Sequence, residues 1–204
     1  MSLQAVAPRL VLASSSPARR ALLAAAGLRF EVFSPRVDEA ALKRAGRAAG
    51  LDETAVAFFL AEAKAKQVAG AHPAALVIGC DQLLVCDGRW FDKPVDVDQA
   101  RAHLRALRGR THTLVTAAVC WGGEELLWQV VACPRLTMRD FSEAFLESYL
   151  AREADHVTAT VGAYRLEGPG VQLFAKVEGE HAAILGLPLL DLLDFLRCRG
   201  ILEV

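Results

Sequence analysis

The stretch Ser14-Ser15-Ser16-Pro17-Ala18-Arg19-Arg20 sets three hydroxyls and a proline directly before two arginines. Hydroxyls and backbone N–H groups at a helix N-terminus, backed by fixed cations, can cradle a phosphate. The same residues also make an ordinary serine-capped helix with surface arginines. Asp81 follows the apolar run Val77-Ile78-Gly79, so a carboxylate stands at the end of a segment that reads as a buried strand. Metal binding or water activation would justify its cost there, and a turn-forming aspartate is the plainer alternative. Lys64, on the flank of Leu60 and Ala63, and Lys93, before Pro94, could each reach a buried anion. Either could instead lay its stem along apolar surface and keep its head in water. Asp38-Glu39 reads as a further carboxylate pair or as a solvated loop.

Stronger codes for other chemistries do not occur: there is no Walker loop, dinucleotide fingerprint, His-Glu-x-x-His or Gly-x-Ser-x-Gly. The histidines His72, His103, His112, His156 and His181 are scattered and form no metal-ligand spacing. A net charge of -1 means that any attraction for phosphate rests on a few local cations, which opposes stable nucleic-acid binding. No apolar run reaches membrane-spanning length, and the apolar start is too short for a secretion signal. Cys80, Cys86, Cys120, Cys133 and Cys198 are odd in number, lack a Cys-x-x-Cys pair and read as buried apolar residues. With no asparagine available for glycosylation, the cytoplasm is the expected setting.

These residues need elements to hold them. Arg9 to Ala13 reads as a strand, Pro17 opens a helix with Leu22, Leu23 and Ala26 inward, Gly27 ends it, and Phe30 to Phe33 is the next strand. Asp38 to Gly50, polar and rich in alanine and glycine, reads as a mobile loop. Asp52 caps an amphipathic helix to Ala69 with Val56, Phe59, Leu60 and Ala63 inward, and Ala75 to Gly79 is a buried strand ending at Cys80-Asp81-Gln82. Pro94 to Arg108 is helical; Thr111 to Trp121 and Leu126 to Met138 form a hairpin about Gly122-Gly123. Ser142 caps a helix through Leu150, Val171 to Val177 is a strand, and Leu187 to Arg199 is a helix opened by Pro188. The pattern is α/β, and without repeats or linkers residues 1–204 read as a single domain with two lobes.

Taken together, Leu12 to Leu23, Val37-Asp38-Glu39, Ala61 to Ala65, Ile78 to Gln82, Lys93-Pro94 and Gly186-Leu187-Pro188-Leu189 closely resemble the Maf-like family in order and spacing, over Arg9 to about Arg199. The resemblance implies a mixed central sheet with flanking helices, two lobes around a deep cleft as in inosine triphosphate pyrophosphatase, and hydrolysis of a nucleoside triphosphate to the monophosphate and pyrophosphate. It makes Asp81 the catalytic residue, lines the cleft with Arg19, Glu39, Lys64, Gln82 and Lys93, and puts Ser14 and Ser16 in the phosphate-facing loop. Three positions depart from the usual pattern: Cys80 replaces alanine or serine, Asp92 replaces the glycine before Lys93, and Ala18 fills a variable specificity position.

Triphosphate hydrolysis requires cations against the phosphates and a base for the attacking water. Asp81 is assigned as that base, Glu39 with Asp81 as metal ligands, and Arg19, Lys64 and Lys93 as phosphate stabilisers, with Arg20 secondary. Oxygen ligands favour magnesium, with manganese as the other hard cation. Ala18, Gln82 and Glu167 are the specificity positions. Glu167, in Tyr164-Arg165-Leu166-Glu167-Gly168, matches a position where glutamate accompanies 7-methylguanosine triphosphate and glutamine accompanies the pyrimidine substrates, which points to a guanine-type base. Ala18 removes the tryptophan usual in that methylguanosine subgroup and so broadens the expectation. A nucleotide-binding regulator of cell division without turnover is the rival reading. Oligomeric state stays open, a homodimer included.

Overall fold

The computed structural model describes residues 3–204. Its elements in chain order are β1 (Arg9–Ala13), α1 (Pro17–Ala25), β2 (Phe30–Val32), α2 (Glu39–Ala48), α3 (Glu53–Ala69), β3 (Ala75–Cys86), β4 (Arg89–Phe91), α4 (Val97–Leu107), β5 (Thr111–Gly122), β6 (Glu125–Ala132), β7 (Arg135–Met138), α5 (Glu143–Glu153), β8 (Phe174–Glu178), α6 (His181–Ile184) and α7 (Leu189–Cys198). Short 3₁₀ turns lie at Val161–Ala163 and Pro169–Leu173. The chain forms two compact units, one of residues up to Gln82, Thr116–Ala132 and Glu180–Val204, the other of Leu83–Val115 and Cys133–Gly179.

In the first unit β1 lies between β2 and β3, parallel to both. β5 is the strand beyond β3, and β6 returns antiparallel to it, so the sheet is mixed. Side chains alternate between the faces of a strand. Leu10 and Leu12, Leu76, Ile78 and Cys80, and Ala118 and Cys120 therefore share one core with Leu23 of α1 and Leu192 and Leu196 of α7. The opposite parity of β3, containing Gly79 and Asp81, meets α3. A Cβ at Gly79 would lie 2.3 Å from the Ala61 carbonyl oxygen and 2.8 Å from Ala65 Cβ, so glycine alone lets helix and strand approach so closely. In the second unit β3 ends in a hairpin with β4 through Asp87 and Gly88, both at positive φ, and β5, β7 and β8 pair antiparallel in sequence. Mixed strands flanked by helices make the fold class α/β, as expected.

Several local expectations are corrected. Asp38 to Gly50 is not a mobile loop: α2 occupies most of it, capped by Asp38, whose carboxylate accepts from Ala41 N at 2.8 Å. Its signal was hidden because its buried residue is Gly46, whose absent Cβ makes room for Val56 of α3. Phe59 is not inward but 39% exposed, since the buried face of α3 consists mainly of small residues able to approach β3. Asp81 does not end its strand; Leu83, Leu84 and Cys86 are buried beyond it and β3 continues. Leu126 to Met138 breaks at Cys133-Pro134, where proline has no N–H to continue a ladder. The helix expected from Pro94 begins at Val97, because Asp96 caps it through Gln99 N at 2.7 Å. Val171 to Leu173 belongs to a 3₁₀ turn, with the strand starting at Phe174. Cys133 and Cys198 are exposed, unlike the other three cysteines.

Candidate active site

The close approach enforced at Gly79 brings the next turn of α3 against Asp81. Lys64 Nζ lies 2.5 Å from Asp81 Oδ1 and 2.7 Å from Glu39 Oε1. Lys64 and Asp81 are only 6% and 4% exposed, whereas Glu39, the first residue of α2, is exposed. A buried charge is tolerated when paired, so each partner fixes the rotamer of the other. Among the described residues Asp81 Oδ2 has no hydrogen-bond partner. The lysine thus bridges two carboxylates contributed by a strand and by the start of a second helix.

A second cluster forms where β1 passes into α1. Ser16 caps the helix, its hydroxyl accepting from Arg19 N, and Ser14 Oγ accepts from Ser16 N at 3.2 Å. Arg19, 9% exposed, donates from Nε to the Gly186 carbonyl at 2.7 Å, and from Nη1 to Ser14 Oγ at 3.2 Å and to the Cys80 carbonyl at 3.1 Å. It therefore ties α1, β3 and the segment after α6 together before any ligand is considered. Nη2 has no partner among the described residues. Gly186 has φ +105° and a Cβ there would sit 3.0 Å from Arg19 Nε, two reasons for glycine. Burial pushes the Cys80 thiol up to about 11, against the opposing pull of Arg19 and Lys64, and leaves it unreactive at neutral pH. Ala18 is half-buried and Arg20 is exposed on the same helix start.

Opposite parity to Asp81 sends Gln82 to the other face. Its Nε2 donates to Thr116 Oγ1 at 2.8 Å and to the Ala183 and Ile184 carbonyls at 3.1 Å each. Thr116, fully buried in β5, donates in turn to the Ala183 carbonyl at 3.0 Å. The sequence reading missed Thr116; its signal was a lone hydroxyl inside the apolar run Leu114 to Cys120. The backbone carbonyls of residues 183, 184 and 186 were invisible to any reading of side chains.

The first unit thus holds three clusters, Lys64 with Glu39 and Asp81, Arg19 with Ser14 and Ser16, and Gln82 with Thr116, while Ala18 and Arg20 lie on the same helix start as Arg19. Lys93 and Glu167 belong to the second unit and both are exposed, Glu167 between the two 3₁₀ turns. Among the described residues no group of three histidine, cysteine, aspartate or glutamate side chains could hold a metal ion, so a cation here would need donors beyond the protein's own. No helix among them is long and apolar enough to cross a membrane.

Fold and site together define an α/β protein with a carboxylate pair bridged by lysine and an arginine-bearing helix start suited to anions. The chain belongs to the Maf family: the family model described as Maf-like protein matches residues 9–199. A nucleoside triphosphate pyrophosphatase of Rhodospirillum rubrum is 50% identical over 98% of this chain and 99% of its own. A protein of the same name from Granulibacter bethesdensis is 50% identical over 96% of this chain and 100% of its own. A 7-methyl-GTP pyrophosphatase of Rhizobium meliloti is 45% identical over 96% of this chain and 98% of its own.

Proposed function

We propose that the chain hydrolyses nucleoside triphosphates between the α and β phosphates, releasing the monophosphate and pyrophosphate, with a divalent cation as cofactor. The observation that carries this reading is Lys64 held between Asp81 and Glu39 within the first unit. The names carried by relatives at 45–50% identity agree with it.

In this reading Lys64 engages one oxygen of Asp81 and so orients the other, Oδ2, toward the attacking water, from which it takes the proton. The fixed geometry spares the carboxylate a search over rotamers at the moment of reaction. Backbone N–H groups at the start of α1, together with Nη2 of Arg19, bind phosphate oxygens. Glu39 is the residue that would hold the cation, with Asp81 sharing it through the water that Oδ2 orients. Two hard carboxylates would fit an ion such as magnesium or manganese, with its remaining ligands coming from outside the protein. Bound there, it supplies neutralisation of the charge that grows on the leaving pyrophosphate. A cytoplasmic setting goes with this reading, since all five cysteines are free thiols.

The test is product analysis by phosphorus NMR after incubation with magnesium and a panel of triphosphates that includes 7-methylguanosine triphosphate. Pyrophosphate and monophosphate are expected as first products, and a chelator should stop their release. Diphosphate plus orthophosphate as first products would overturn the reaction; turnover that persists in excess chelator would overturn the metal.

A further inference from the structure

An amide can be turned end for end with little change in shape, so its orientation must come from its neighbours. For Gln82 the neighbours leave one choice. The Ala183 and Ile184 carbonyls, each 3.1 Å from the terminal atom, can only accept. Thr116 sits 2.8 Å from the same atom, and its single hydroxyl proton goes to the Ala183 carbonyl at 3.0 Å, so toward Gln82 it too can only accept. Three acceptors converge on one end of the amide, and that end must be NH₂. The carbonyl end, Oε1, then faces away from them and has no partner among the described residues.

From this we infer that Thr116 is a positioning residue, holding Gln82 with its Oε1 presented as a hydrogen-bond acceptor to the nucleoside half of the substrate. The inference rests on the proposed reaction, in which Gln82 is a specificity position, and adds to it the residue that fixes the amide's orientation. Phosphate oxygens at neutral pH are acceptors and carry negative charge, so a carbonyl oxygen gains nothing from them. Base N–H groups and ribose hydroxyls are donors, and they are the complement this oxygen selects. The frame also links the two clusters: the segment from Ala183 to Gly186 is held by Gln82 and Thr116 at one end and by Arg19 at the other. Reading of the nucleoside and gripping of the phosphates are therefore built on a common piece of backbone.

The test replaces Thr116 with valine, which keeps the shape and removes the hydroxyl. The Ala183 carbonyl is not stranded by this change, because it still accepts from Gly186 N at 3.1 Å. KM for a nucleoside triphosphate should rise about tenfold, as suits the loss of one anchoring hydrogen bond, with kcat within about twofold of the parent. Inorganic tripolyphosphate, which has no nucleoside, should inhibit parent and variant with Ki values within about twofold. Thr116→Ser should restore KM. An unchanged KM in Thr116→Val, a Ki for tripolyphosphate that rises in parallel, or a failure of serine to rescue would overturn the assignment. A readout independent of turnover is the Gln82 side-chain NH₂ in the ligand-free protein, observed by proton–nitrogen NMR. Its two protons should exchange at similar rates in the parent and in Thr116→Ser and measurably faster in Thr116→Val, where the two carbonyls remain but the shortest of the three contacts is gone; equal rates and shifts in parent and valine variant would overturn the positioning role. Absence of pyrophosphate release by the parent would instead remove the proposed reaction and leave this amide measurement to decide the geometry.

Discussion

Asp81 has one oxygen committed to Lys64 and the other without a protein partner, a division of labour that a carboxamide cannot reproduce. Asp81→Asn keeps the volume and removes the proposed base, so kcat should fall by about two orders of magnitude or more in a protein that still folds, with a lowered thermal midpoint because the buried Lys64 loses one of its two charged partners. Turnover within a few-fold of the parent in a folded preparation would assign the base elsewhere. Glu167 invites a test of a different kind, because it is exposed in the second unit and its effect would fall on the choice of substrate. A carboxylate only accepts, guanine offers adjacent N–H donors, and uracil or thymine flanks a single donor with two carbonyls. The parent should therefore favour guanine-type or 7-methylguanosine triphosphates, and Glu167→Gln should shift the kcat/KM ratio toward the pyrimidines by about tenfold to a hundredfold. A ratio that does not move would remove Glu167 from specificity.

The pairing of Lys64 with Asp81 depends on how closely α3 lies against β3, and that is set by Gly79. Gly79→Ala forces a methyl into the space of the Ala61 carbonyl and the Ala65 side chain, so the helix must move outward. Destabilisation of about 1–3 kcal/mol is expected, with a loss of kcat beyond what the fraction folded explains. Chemical denaturation alongside kinetics at a temperature where the variant is fully folded separates the two effects; unchanged kcat there would mean that the spacing is not what tunes the pair. This element also marks the limit of what the sequence revealed. Strand β1, the first half of β3 and the helix caps at Ser16, Asp52 and Ser142 were legible because local pattern and capping chemistry coincide with the fold. Helix α2 was not, since its helical stripe of Leu42, Ala45, Gly46 and Ala49 is made almost wholly of alanine and glycine and reads as a small-residue loop. The carboxylates and Lys64 were recognisable as candidates, but their convergence depends on contacts between α2, α3 and β3, which no local pattern encodes. Arg19 was legible as a cation and not as a strut, because its acceptors are backbone carbonyls far along the chain.

At the scale of the whole molecule, stability should depend on acid through a group outside the proposed catalytic residues. His112 is buried in the second unit, with Nε2 2.7 Å from the Tyr164 hydroxyl and Nδ1 without a partner. Desolvation pushes its imidazole down from 6.5 to about 4, so the folded state holds it neutral where the unfolded chain would bind a proton. The resulting stabilisation, of about 3 kcal/mol, is complete above the unfolded pKa near 6.5 and is lost as pH falls through the folded value. Urea midpoints of the parent should thus fall between pH 7.5 and pH 4.5 more steeply than those of His112→Gln; parallel slopes would exclude His112 as the titrating group.

The bond from Arg19 to the Gly186 carbonyl spans 167 positions of sequence. At about 5–20 residues per second of synthesis, a ribosome needs roughly 8–30 s to travel from one to the other. During that interval the nascent chain carries a guanidinium whose buried acceptor has not yet been made, and the Gln82 amide waits likewise for residues 183 and 184. Although α1, β1 and β3 can form early, the frame that joins them closes late in translation, so the emerging polypeptide passes through a period in which the scaffold exists and the catalyst does not.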